Sequence, residues 1–121
     1  MALTDYPTKL FLSALKNDRF SETQYKITVN AYYLGNSRDY DSAYDSNGNK
    51  FDFKLITNKP DYCDNSACWY NVNFELNTSR EYLHKNQEKD LGVKVTGKTD
   101  YYQTFLIPQA YVKAFLSVVK Q

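Results

Sequence analysis

The sequence predicts an α+β domain made mainly of antiparallel β-sheet, either sandwich-like or a single sheet, with a C-terminal helix packed on it. Three observations carry this. Residues 24–34 alternate between apolar and polar positions, the pattern of a strand with one buried face. Two turn signals, Asn47-Gly48 and Gly97-Lys98-Thr99-Asp100, each separate a pair of patterned runs. After Pro108 the apolar spacing changes from two residues to the three-to-four of a helix.

Taken in order, residues 1–7 read as a lead-in to a single domain over residues 1–121. Residues 8–16 predict a short helix with Phe11, Ala14 and Leu15 on one face, a strand being the alternative, and residues 17–22 are a polar break. In the strand over 24–34, Tyr25, Ile27, Val29, Ala31 and Tyr33 face one way and Gln24, Lys26, Thr28, Asn30 and Tyr32 the other. Gly35-Asn36-Ser37 is a turn.

Residues 38–46 and 50–57 then flank Asn47-Gly48, the signature of a hairpin whose tight turn needs positive φ at both central residues. In the first arm Tyr40, Ser42 and Tyr44 share a face, and its polarity suits a sheet edge. In the second, Phe51, Phe53 and Leu55 point together. Residues 58–67 read as a loop, and residues 69–77 as a strand with Tyr70, Val72, Phe74 and Leu76 inward. Thr78 or Ser79 caps a short helix, Glu81 standing in capping-box position to Thr78, with Tyr82 and Leu83 turned inward. Residues 91–96 and 101–107 form a second hairpin, with Leu91, Val93 and Val95 alternating. Pro108 opens the last helix, whose stripe is Ala110, Tyr111, Ala114, Phe115 and Val118.

Composition narrows the function classes. With 121 residues the chain can bury roughly two-thirds of its unfolded surface. A net charge of +1 without a Lys/Arg cluster lacks the electrostatic footprint of a nucleic-acid binder and the basic patch of a peripheral membrane protein. No run of about 18 apolar residues is present, so the sequence predicts no membrane span. Aromatic content is 17%, with 12 Tyr, 7 Phe and 1 Trp. Tyrosine suits half-buried strand positions, where the ring packs and the hydroxyl stays wet. The rings therefore serve either as core filling or as an exposed binding surface.

Cys63 and Cys68 are the two cysteines, with four residues between them in a polar stretch. A disulfide there would pin the chain entering the next strand and place the protein in an oxidising compartment. Two free thiols or half a zinc site are the alternatives, although zinc wants about four ligands and only His84 could add a nitrogen. The start Met1-Ala2-Leu3-Thr4-Asp5 has no basic or apolar signal region, so it reads either as a native start or as one following a removed signal or lipid-anchored segment.

Candidate chemistry is sparse. His84, the single histidine, falls at the end of a short helix, where a solvated cation is favourable. Asp39, Asp41, Asp45 and Asp52 gather around the first hairpin. They would need to face one another across a cleft for glycosidase-type work, and they lack the glycine and closing glutamate of a calcium loop. No nucleophile motif surrounds any serine, so no catalytic residue, cofactor or metal is expected. The best candidate site is the aromatic set Tyr40, Tyr44, Tyr62, Trp69 and Tyr70, with Tyr62 and Trp69 bracketing the cysteines.

The run Arg38-Asp39-Tyr40-Asp41-Ser42-Ala43 is followed by Gly48, by Cys63 and Cys68, and by Phe74-Glu75-Leu76 and Tyr82-Leu83. Gly92-Val93-Lys94-Val95-Thr96-Gly97-Lys98 and the stretch from Ile107-Pro108 to Phe115-Leu116 complete the order. In order and spacing these resemble a group of small exported or lipoprotein-type domains of Gram-negative bacteria that carry no established activity. That group often places an acidic residue soon after the second cysteine; Asn71 and Asn73 stand there in this chain, and Glu75 comes later. The resemblance implies export to the periplasm or outer membrane, a lipid anchor in some members, and a disulfide. It implies no chemistry.

The resulting expectation is a non-enzymatic exported domain that binds a protein or cell-envelope partner as an accessory, inhibitor or immunity-type protein. The alternative is a carbohydrate or small-ligand module using ring stacking. No nucleic-acid partner is expected.

Overall fold

The computed structural model describes residues 9–16 and 23–119. The expected lead-in and the polar break at 17–22 lie outside the described residues. Seven strands and two helices follow in the order β1 (Lys9–Lys16), β2 (Thr23–Gly35), β3 (Tyr40–Asp45), β4 (Asp52–Cys63), β5 (Cys68–Thr78), α1 (Arg80–Lys85), β6 (Leu91–Gly97), β7 (Tyr102–Ile107) and α2 (Gln109–Val118). They form two antiparallel sheets, ordered β1-β2-β5-β4 and β3-β6-β7.

The alternation on β2 decides the layout. Tyr25, Ile27, Val29, Ala31 and Tyr33 are all buried, and their partners on β5, Val72, Phe74 and Leu76, are buried with them. Ala43 of β3, Leu91, Val93 and Val95 of β6, and Ile107 of β7 join them from the second sheet. Leu83 of α1 and Val112 and Leu116 of α2 complete one hydrophobic cluster shared by both sheets and both helices.

Several sequence expectations need correction. Residues 9–16 are the strand of the alternative reading, not the helix: every residue of β1 pairs with β2. A segment this short gains little from helical hydrogen bonds, whereas β2 offers a complete ladder. Leu12 is thereby buried, while Phe11 and Leu15, expected on a common buried face, are 55% and 63% exposed.

The first hairpin exists only at its turn. Asp45 and Gly48 close a turn through Gly48 N–H to Asp45 O at 3.1 Å, and Asp45 N–H bonds Asn49 O at 2.9 Å. Gly48 alone of the central pair has positive φ, at 84°. The loop therefore has three residues, with Gly48 in the left-handed position, rather than the two-residue turn read from Asn-Gly. After a single bridge between Tyr44 and Lys50 the arms part: β3 pairs β6, and β4 pairs β5, where Phe53 stacks on Phe74 at 4.9 Å. The face expected for Tyr40, Ser42 and Tyr44 is broken by a register shift between Tyr40 and Ser42, so Tyr40, Ala43 and Asp45 are the buried residues. The edge position expected for this arm is observed.

Residues 58–63, read as loop, belong to β4. Pro60 is accommodated because β4 is an edge strand, where a missing N–H faces no neighbour.

In α1 Leu83 is buried and Tyr82 packs against the core, as expected, whereas the caps and the α2 stripe differ from those expected. Ser79 is the N-cap of α1, its Oγ accepting from Tyr82 N–H at 3.0 Å, so the Thr78–Glu81 box is not formed. Pro108 is the N-cap of α2 rather than its first residue, and Asp90 Oδ1 accepts from Gln109 N–H at 2.9 Å. Val112 and Leu116 are the buried residues of α2, flanked by Tyr111 and Phe115, and Val118 is 77% exposed.

Candidate functional site

Strand alternation turns Tyr32 and Trp69 to the side of the four-stranded sheet away from the core, since Tyr33 and Val72 point inward. Trp69 lies opposite Leu34 on β2 and opposite Tyr62 on β4. The rings of Tyr32 and Trp69 stack at 5.1 Å with 6° between their planes. The Tyr32 hydroxyl donates to Asp61 Oδ2 at 3.2 Å, and Tyr62 beside them is 63% exposed.

A ladder of amides continues this outward face. Asn30 Nδ2 donates to Asn71 Oδ1 at 2.6 Å and to Asn73 Oδ1 at 2.8 Å, and Asn73 Nδ2 donates to Thr57 Oγ1 at 2.8 Å. Lys26 and Glu75 pair at 3.2 Å further along.

The aromatic end of this face is held by the tip of the β4–β5 hairpin. Cys63 and Cys68 are register partners with Cα atoms 4.0 Å apart, and they form a disulfide. The turn between them is organised by Asp64, whose Oδ1 accepts from Ser66 N–H at 2.8 Å, Ser66 Oγ at 2.9 Å and Ala67 N–H at 2.9 Å. These donors hold the Asp64 carboxyl below the usual carboxylate range. The tip is thus fixed covalently and by hydrogen bonds.

The five aromatic residues named from the sequence divide in space. Tyr62 and Trp69 come together on the outward face. Tyr70 points inward and stacks on Tyr33 at 5.7 Å, and Tyr40, buried in the core, meets Tyr33 edge-on at 5.9 Å. Tyr44 lies on the other sheet opposite Lys94. Two of the inward rings, Tyr33 and Tyr40, contact Arg38, which is itself buried. Its guanidinium lies 4.1 Å from the Tyr33 ring centre and 5.2 Å from that of Tyr101, and Nη1 donates to Tyr40 Oη at 2.9 Å. Burial raises the Tyr33 hydroxyl above the usual tyrosine range, opposed by the Arg38 backbone N–H that it accepts. Tyr32 was missed as a site residue: alternation places it on the outward face, but its stack on Trp69 follows from strand pairing.

The candidate acid–base groups do not converge. His84 is exposed on α1, Asp39 and Asp41 are exposed around the start of β3, and Asp52 is exposed at the start of β4. Asp45 is buried beneath the turn, where it accepts from Asn47 N–H and Asn49 N–H at 2.9 Å, Asn49 Nδ2 at 3.1 Å and Tyr82 Oη at 2.6 Å. Burial pushes its carboxyl up, but these bonds outweigh it and hold it below the usual range. The same burial and the Asp45 carboxylate push the Tyr82 hydroxyl well above the usual tyrosine range. Among the described residues no group of three or more His, Cys, Asp or Glu is placed to hold a metal ion.

A cleft of about 830 Å³ at the opposite end of the sheet is lined in part by Lys16, Lys26, Lys54 and Arg80. Two of these cations are committed elsewhere. Lys26 pairs with Glu75, and Arg80 donates to the carbonyls of Val119 at 2.6 Å and Leu116 at 3.1 Å, closing the end of α2. No helix is long and apolar enough to cross a membrane among the described residues.

Comparison with known proteins returned no match: no family model, no curated protein and no solved structure is significantly similar to this chain.

Proposed function

We propose that this chain is a non-enzymatic, exported binding domain, and that a protein or cell-envelope partner docks on the outward aromatic end of the four-stranded sheet. One observation carries the reading: Tyr62, exposed beside the stacked Tyr32–Trp69 pair, sits on a hairpin tip that a disulfide holds rigid. Rigid Tyr and Trp side chains supply contact area at small entropic cost and dominate interface hot spots. The disulfide supports export to an oxidising compartment, where such bonds persist, and the periplasm, free or lipid-anchored, is the compartment proposed. An accessory, inhibitor or immunity-type protein would use such a surface.

The amide ladder beside the rings favours a second reading, a carbohydrate ligand, because amides bond sugar hydroxyls. Against it, the Tyr32–Trp69 stack takes one face of each ring and leaves at most one face of each for a sugar.

The test compares wild type with a Tyr62→Ala, Trp69→Ala double variant of unchanged circular dichroism. Both are assayed for capture of envelope proteins and for binding to a glycan array. Protein capture lost in the variant supports the leading reading, and glycan binding lost in the variant supports the second. Capture equal in both proteins overturns the site. Free thiols at Cys63 and Cys68 in protein taken from its native host would overturn export.

A further inference from the structure

Two sheets present four edge strands, β1, β4, β3 and β7, and unprotected edges are templates for pairing with another chain. Three of the four carry protection. On β4 it is Pro60, two register shifts and the lysines Lys54 and Lys59. On β3 it is a register shift, exposed Asp41, and the Phe51 N–H bonded to Ala43 O at 2.8 Å. On β1 the Leu12 N–H is taken by the hydroxyl of Tyr111 on α2 at 2.8 Å, and a lysine stands at each end.

β7 has none of these devices. Tyr-Gln-Thr-Phe-Leu-Ile contains no charge, glycine or proline, and its pairing with β6 runs without a register shift. Tyr102 and Leu106 are 57% and 61% exposed, and Tyr101 just before the strand is 64% exposed. Among the described residues β7 has one strand neighbour, β6.

We propose that β7 pairs antiparallel with β7 of a second copy of this chain, about a two-fold axis at Thr104, joining the two three-stranded sheets into one of six strands. The strand's own sequence offers this occupant a self-complementary register. A self-pair must keep outward residues opposite outward residues, because a one-residue slip turns them to the other face. Centred on Thr104, Tyr102 meets Leu106 twice, Thr104 meets its own copy, and Gln103 meets Phe105. An aromatic–aliphatic pair and a Thr–Thr pair are both favourable cross-strand neighbours. Centring on Phe105 instead would set Tyr102 against Pro108, which has no N–H to give. Charge permits the pairing. Lys94, a cation on this face, sits one strand in with its ammonium 4.4 Å from the Tyr102 ring centre. Its counterpart would be three strand spacings away, about 14 Å, beyond a Debye length of about 10 Å.

Such an isologous edge contact is small, so the dimer is expected to populate in the micromolar range. It is independent of the partner-binding face, which lies on the other sheet. The test is sedimentation of the full chain up to about 100 µM, where weak interfaces become populated, together with two variants. Leu106→Lys places a charge on an exposed side chain beside the axis and should leave the fold intact. Thr104→Cys should form a covalent dimer on mild oxidation. The proposal expects a concentration-dependent dimer, its loss in Leu106→Lys with unchanged circular dichroism, and cross-linking through Thr104→Cys. A wild type that stays monomeric overturns it, as does a dimer that survives Leu106→Lys or fails to cross-link at position 104.

Discussion

Asp45 shows how one buried carboxylate organises a turn. Four donors reach its two oxygens, three from the turn itself and one, Tyr82, from α1. The last ties the loop to a helix 37 residues away in sequence. Tyr82→Phe removes that bond and should cost about 2 kcal/mol at neutral pH, since bonds to charged groups are the stronger class. The pH dependence follows from the depressed carboxyl. Its stabilising contribution is complete above the unfolded carboxylate value and is lost as pH falls through the lower folded value. Urea unfolding of wild type and Tyr82→Phe should therefore differ most at neutral pH and converge below about pH 4; a gap that stays constant would show that Asp45 does not carry the effect. Arg38 is the comparable buried charge near the other hairpin, its guanidinium over the Tyr33 and Tyr101 rings and its Nη1 donating to Tyr40 Oη.

Among the elements, the β4–β5 hairpin is long, with strands of 12 and 11 residues against six or seven in β3, β6 and β7. Its disulfide closes a short loop of sequence separation 5. In the chain-entropy picture such a loop contributes about 2 kcal/mol. The Cys63→Ser, Cys68→Ser double variant should lose about that much in denaturant unfolding, while its amide exchange quickens mainly between Asp61 and Trp69. Exchange quickened equally along all of β5 would mean that the bond supports the whole sheet rather than the tip. At the other sheet, the β6 end is fitted to the segment before β3: a Cβ at Gly97 would collide with the backbone carbonyls of Arg38 and Asp39. Asp39 itself sits at φ 50°, a conformation that Asp tolerates better than most residues.

At the scale of the molecule, both sheets and both helices contribute to one hydrophobic cluster. The chain should therefore unfold as one cooperative unit, with Trp69 fluorescence and far-ultraviolet circular dichroism giving coincident transitions. Separate midpoints would show that the β3-β6-β7 sheet melts on its own. Reduction of the disulfide should leave this core folded, because about 2 kcal/mol is a fraction of the 5–15 kcal/mol typical of such domains.

Alternation alone determined the strands of residues 24–34 and 69–77, the second hairpin, and the helix after Pro108, because period two and helical spacing are local properties that survive in any packing. The tyrosine content was legible in the sequence but its placement was not: Tyr25, Tyr33 and Tyr40 fill the core, while Tyr62, Tyr101 and Tyr102 stay exposed. Tertiary structure decided the rest. It made a strand of residues 9–16, because β2 had a free edge to satisfy. It parted β3 from β4 after one bridge, because Phe53 packs on Phe74 while Ala43 pairs against Val95. It brought Tyr32 to Trp69, more than 30 residues away, and separated both from Tyr40 and Tyr44. Such pairings depend on which strands become neighbours, a long-range choice made by burying apolar area across the whole chain, and no local spacing encodes it.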